Sequence, residues 1–132
     1  MSTLAPVIEV EPPDTIKPET ARVALRAFSR IAEHWKLSDP ERMRLLGVTP
    51  ETFRYLGSER QLSRDLLERI SYILGIFKNL QVLLPPDAAD QWVRKPNTAA
   101  LFNGRSALDR MLSGNVSDLY EVRKYLDGQT HG

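Results

Sequence analysis

Cysteine is absent from the 132 residues. Neither a disulfide framework nor a thiolate metal site is available, and this usage fits a reducing compartment. Histidine is scarce: His34 and His131 stand apart, without neighbours at metal-ligand spacing, and read as ordinary surface residues. No glycine-rich loop suited to a phosphate is present. The serines lie outside any strained strand-to-helix turn of the nucleophile-elbow kind. The acidic pairs Asp87/Asp90 and Asp118/Glu121 fall at i,i+3 near expected helix starts, where the helix dipole accounts for them. We therefore expect no enzyme, no metal and no cofactor. Long apolar runs are also missing. The most apolar window, ISYILGIFKNLQVLL (70–84), is too short to span a bilayer and contains Lys78, Asn79 and Gln81. The opening MSTLAPVIEVEPPDTIKPE has no basic start followed by an apolar stretch, so no secretory signal is expected. The expectation is a soluble, cytoplasmic chain without a membrane partner.

Net charge is nearly absent too, at 18 basic against 17 acidic residues, but it is unevenly spread. Residues 1–16 carry three acids and no base. Residues 17–80 carry 12 Lys/Arg against 8 Asp/Glu, and residues 81–132 carry six of each. An anionic partner should meet the middle segment. So modest a surplus suggests that a duplex binder would dimerise to gather enough phosphate contacts.

What is present is helical periodicity. A 42% hydrophobic content over this length suits one compact domain or two very small ones. Residues 1–17, with Pro6, Pro12 and Pro13 among acids, read as a mobile tail with an edge strand at 7–10 as the alternative. From Pro18, the residues Val23, Ala24, Ala27, Phe28, Ile31, Ala32 and Trp35 recur at three- and four-residue spacing, giving a helix of about five turns. Arg22, Arg26 and Arg30 form a row opposite, read first as a solvated face. Ser38-Asp-Pro-Glu41 has the form of a capping box, and its short helix should end at Gly47 in a left-handed conformation. Thr49 and Pro50 open the next helix, with Phe53 and Leu56 inward. A long helix from about Ser63 to Leu80 carries an apolar stripe broader than one neighbour covers. It is either the bundle's centre or a helix that also meets a partner.

Pro85-Pro86 breaks this helix. A helix near 87–94 should follow, then turns at 95–97 and 102–104. Ser106 with Asp109 should cap the helix SALDRML, and Asn115 with Asp118 should start a last helix ended by Gly128. The expected fold is all-α with about seven helices. The segment 85–132 is too small to hold itself together without metal or disulfide, so it must pack on 63–80, on another chain, or on both.

Residues 43–56, MRLLGVTPETFRYL, have the pattern of a helix-turn-helix. Leu46, Val48, Phe53 and Leu56 take its buried positions. Thr49, Thr52, Arg54, Tyr55, Ser58 and Arg60 are the DNA-binding candidates on or near the outward face. Arg54 suits a guanine edge, and Thr52 or Tyr55 a thymine methyl or a phosphate. Met43 in place of a small residue, and Glu51 and Glu59 toward the duplex, oppose this reading. The motif alone leaves a DNA reader and a structural corner both open.

The stretch WVRKPNTAALFNGRSALDRMLSGNVSDLYEVRKYLDG (92–128) resembles the toxin-binding domain of the Xre/MbcA/ParS antitoxin family. The resemblance rests on Trp92, Pro96-Asn97, Phe102, Gly104-Arg105-Ser106-Ala107-Leu108, Met111-Leu112-x-Gly114 and Leu119, Val122, Tyr125 and Leu126. Residues 18–84 resemble the helix-turn-helix half of such antitoxins more loosely. Asn103 replaces a glycine found in many members, and Ala107 a proline; Asn tolerates the left-handed backbone. The resemblance implies three parts: a tail at 1–17, a helix-turn-helix and dimerisation half at 18–84, and a toxin-binding domain at 85–132. It also implies a RES-domain toxin that destroys NAD, an antitoxin domain that covers the toxin's cleft, and a homodimer that binds operator DNA and represses the operon. On the last helix, Leu119, Val122 and Leu126 should pack inward, with Tyr120, Arg123, Lys124 and Asp127 at the toxin edge. We further expect the tail Gly128, His131 and Gly132 to enter the cleft with its terminal carboxylate on an anion-binding position, a frayed, unbound tail being the alternative. The alternatives in function are a free-standing regulator whose C-terminal domain only dimerises, and a scaffold that binds no nucleic acid.

Overall fold

Hydroxyl side chains set most of the helix starts. The computed structural model describes residues 18–56 and 62–131. The expected tail at 1–17 and the candidates Ser58, Arg60 and Gly132 lie outside the described residues. Within them run α1 (Pro18–His34), α2 (Asp39–Leu46), α3 (Pro50–Arg54), α4 (Arg64–Leu83), α5 (Pro86–Gln91), a 3-10 turn (Trp92–Arg94), α6 (Ala107–Met111) and α7 (Val116–His131). The fold is all-α. Ser38 accepts from the Glu41 amide at 3.2 Å while the Ser38 amide donates to Glu41 Oε1 at 2.9 Å, closing the expected capping box. Thr49, Ser63 and Ser106 likewise accept from the amides of Thr52, Leu66 and Asp109.

Helix α4 is the centre. Its Ile70, Ile73, Ile76 and Leu80 are buried, and it packs on α7, α1, α5 and α2. Across from it, α1 contributes Phe28 and Ile31, Trp35 follows directly after that helix, and α7 contributes Leu119, Val122 and Leu126, all buried as expected. The short C-terminal helices gain their core from α4 and from an aromatic chain. Trp92 meets Phe102 edge-on at 5.7 Å between centroids, and Phe102 meets Tyr125 at 5.3 Å. Asn97 ties the loop beneath: its side chain accepts from the Ala99 amide, and its backbone pairs with Arg105 and Gly104. Asn103 at φ 52° and Gly104 at φ 85° make the left-handed turn expected there.

Several details differ from the sequence reading. Val23 is 64% exposed, because the buried stripe of α1 runs through Ala21, Ala24, Phe28, Ile31, Ala32 and Trp35, which turns Val23 toward the arginine row. The helix expected near 87–94 is α5 followed by a 3-10 turn. Helix α1 ends without a glycine, with Lys36 at φ 56°. Leu37 N donates to Ala32 O and Lys36 N to Glu33 O, a Schellman closure built on a lysine. At the start of α7 the holding side chain is Ser113, whose hydroxyl donates to Asp118 Oδ2 at 2.5 Å and accepts from the Asn115 amide. Gly128 does not end α7. The helix continues to His131 because the Thr130 hydroxyl bonds back to Asp127 O at 3.0 Å and across to Asn79 Oδ1 on α4 at 3.2 Å.

Candidate functional surfaces

The corner between α2 and α3 is built by Gly47, Val48 and Thr49. Gly47 sits at φ 68°, and its amide donates to Arg44 O while Val48 N donates to Met43 O. A Cβ there would lie 2.6 Å from the Arg69 guanidinium, so glycine serves both the backbone and the close approach of α4. Leu46 and Leu56 are buried, and Val48 and Phe53 are partly so. Thr49, Thr52, Arg54 and Tyr55 are brought together on one exposed corner. Thr49 is committed to the cap, since it also donates to Thr52 Oγ1 at 3.1 Å. Tyr55 is 51% exposed, with the Arg54 guanidinium 6.0 Å from its ring centroid. Glu51 is exposed on the same short helix. Helix α3 spans only five residues, so few side chains share its outward face.

The candidates on α7 divide into two groups. Tyr120 and Lys124 face solvent. Tyr120 is 43% exposed, with the Lys124 ammonium 5.9 Å from its ring, and its other edge rests on Tyr72 of α4. Tyr72 donates to Glu68 Oε2 at 2.8 Å, and that acceptor pushes its phenol above the ordinary range. Arg123 and Asp127 instead lean on α4. Arg123 lies over Gly75, where a Cβ would come within 2.3 Å of its guanidinium, and donates to Ser71 O at 3.5 Å. Asn79 donates to Asp127 Oδ1 at 2.7 Å and holds that carboxyl below the usual range despite the opposing push of burial, with Arg123 adding to the effect. Spacing alone groups all four on one face, but the missing side chain of Gly75 lets Arg123 fold onto α4 instead. Gly128 and His131 are exposed in the last helical turn, so residues 128–131 are helical and not a frayed tail.

Three polar links join the C-terminal part to α1 and α2. Arg94 donates to Trp35 O, to Lys36 O and to the Glu41 carboxylate of the capping box. Arg44 donates to Leu112 O at 3.1 Å. His34, a surface histidine as expected, pairs with Asp90 at 2.9 Å and rests beside Phe77. None of these links was visible in sequence, since each spans more than fifty residues. Among the described residues no group of three His, Asp or Glu is placed to hold a metal, and no helix is long and apolar enough to cross a membrane.

Two family matches tile the chain. Residues 14–75 match the antitoxin Xre-like helix-turn-helix domain, and residues 77–132 match the antitoxin Xre/MbcA/ParS C-terminal toxin-binding domain. The chain belongs to the Xre/MbcA/ParS antitoxin family. The chain is also 44% identical over 119 residues to the uncharacterized protein y4oB of Sinorhizobium fredii, covering 86% of this chain and 91% of that one. No solved structure gives a significant match. Neither matched domain of this antitoxin is an enzymatic family. The junction between the matches falls inside α4, two turns before its end, so the toxin-binding match includes Phe77, Lys78 and Val82.

Proposed function

We propose that this chain is the antitoxin of a pair whose toxin is a RES-domain enzyme that degrades NAD. Its C-terminal part covers the toxin's active-site cleft, and its helix-turn-helix half binds operator DNA as a homodimer in the cytoplasm. The observation that carries the reading is the tandem match: a toxin-binding domain continuous through α4 with a helix-turn-helix domain. Tyr120 and Lys124, exposed and adjacent on α7, are the first residues the toxin meets. Arg123 and Asp127 hold α7 to α4 and shape that edge, with Gly128 and His131 beyond them, and Gly132 is a further candidate for toxin contact. Inhibition is by occlusion, since a rigid helical surface needs no chemistry of its own to exclude a substrate. At the other end, Thr52, Arg54 and Tyr55 address the duplex, Thr49 orders the start of α3, and Ser58 and Arg60 extend the contact. The division into 1–17, 18–84 and 85–132 serves as a functional one, with α4 shared between the two activities.

The test is a pull-down of the tagged chain from its own host, with co-purifying chains identified and weighed. A stoichiometric small partner that consumes NAD once released is the expected result. Recovery of the chain alone, as a dimer that shifts its own promoter, would instead establish a free-standing regulator. Replacing Arg54 and Tyr55 by Ala should abolish the promoter shift without disturbing the partner complex.

A further inference from the structure

Helix α4 buries one face completely and leaves another uncovered. Val82 is 76% exposed at its C-terminal end, and Leu74 and Phe77 are only partly covered. Residues 74, 78 and 82 recur every fourth position, so they stand in one row on the helix surface. A groove of about 550 Å³ runs beside this row, between α4 and α7, lined by Phe77, Lys78, Val82, Arg123, Asp127 and His131. A second groove of about 410 Å³ continues on the far side of Phe77, between α4 and α1, where Val23, Ala27 and Leu74 supply apolar surface and Arg26 and Arg30 flank it.

We propose that this outward face of α4, anchored by Val82 and Phe77, docks the toxin alongside the exposed edge of α7. The inference rests on the antitoxin reading and adds to it a second element of contact. Two observations select the toxin as occupant. The match to the toxin-binding domain begins at Phe77, so that match takes in the last two turns of α4, the part of the shared helix that carries Phe77, Lys78 and Val82. The groove is also rigidly continuous with α7: Asn79 bonds Asp127 at 2.7 Å and Thr130 at 3.2 Å, so a partner seated on Tyr120 and Lys124 meets a fixed neighbouring surface. Charge defines the complement. Lys78, Arg26 and Arg30 supply cations along the two grooves, while Asp127, the carboxylate among their lining residues, is already engaged by Asn79 and Arg123. The matching toxin surface presents an apolar side chain flanked by carboxylates. Interfaces concentrate their affinity in a few such apolar anchors surrounded by polar contacts.

The experiment uses the full chain and the partner that co-purifies with it. A photoreactive phenylalanine analogue placed at Val82 should, on irradiation of the complex, give a product with the summed mass of chain and partner. A product joining two copies of this chain, or one mapped to its own residues 1–17, overturns the proposal. In parallel, V82D and K78E should each weaken partner binding about tenfold or more, which is roughly 1.4 kcal/mol per tenfold. Both positions are exposed, and the far-ultraviolet dichroism of the variants should be unchanged. Wild-type binding with both variants equally tight sinks the α4 surface and leaves the antitoxin reading standing. If the wild-type chain captures no partner and inhibits none, both fall.

Discussion

Replacing Arg94 by Ala tests how the toxin-binding part is fastened to the helix-turn-helix half. The substitution removes donors from Trp35 O at 3.0 Å, from Lys36 O at 2.8 Å and from the two oxygens of Glu41 at 2.8 and 3.4 Å. The first two carbonyls close the C-terminal end of α1, where no helical amide follows to satisfy them. Each such bond is worth about 0.5–1.5 kcal/mol net. The ion pair has side chains 40% and 24% exposed, so screening holds it to about 0.5–1 kcal/mol. The summed loss is about 1.5–4 kcal/mol, to be read from urea unfolding followed by far-ultraviolet dichroism. Acid supplies a second arm. The Arg94 hydrogen bond is the largest influence holding the Glu41 carboxyl below its ordinary value of 4.5. A carboxyl depressed in the folded state stabilises above its unfolded value, and that contribution disappears as pH falls through the folded one. The gap between wild type and R94A should therefore narrow as pH drops below about 4.5. Arg94→Lys, which keeps the charge but not the planar fork, should recover less than half of the loss. A deficit under about 0.5 kcal/mol at neutral pH, or one that acid leaves unchanged, would refute the reasoning.

Three further perturbations probe other joints. Lys36→Gly relieves a left-handed lysine worth about 1–2 kcal/mol of strain but loosens the unfolded chain, so urea melts should show a net gain of about 0.5 kcal/mol. Gly47→Ala should cost about 1–2 kcal/mol, since the backbone is left-handed and the new methyl meets Arg69; an unchanged melt would mean that α2 and α3 can reorient freely. Asn79→Ala removes the donor to Asp127, and the titration of that carboxyl, followed by NMR, should move up toward its ordinary value of 3.8. Because the depressed carboxyl stabilises at neutral pH and not in acid, the deficit of N79A, about 1 kcal/mol, should shrink as pH falls through that range.

Local chemistry was legible in the sequence; contacts between distant residues were not. Ser38-x-x-Glu41, Thr49-Pro50, Gly47 and Asn103-Gly104 act within a few residues, and each does in the structure what its side chain or backbone freedom dictates. The breadth of the apolar stripe on 63–80 likewise announced a helix with many neighbours, which α4 is. The direction of Arg123 was hidden, because it depends on Gly75, 48 positions earlier, leaving room on the facing helix. Thr130 was hidden for the same reason: its partner Asn79 lies on α4, so a glycine two residues before it looked like a helix end. Val23 is exposed because helical periodicity tolerates two adjacent stripes, and packing of α1 on α4 selects the one through Ala24, Phe28 and Ile31. Of the helix-turn-helix corner, the two short helices, the turn between them and the outward set Thr49, Thr52, Arg54 and Tyr55 were readable.

The central claim is occlusion of an NAD-degrading enzyme, and the direct measurement is a titration. The partner released from the complex is assayed for NAD consumption while the wild-type chain is added back. Consumption should fall linearly to background and stop falling at the stoichiometry of the purified complex, with binding and inhibition reaching completion together. A partner that is bound to saturation yet still consumes NAD at its full rate, or one that never consumes NAD, would contradict it.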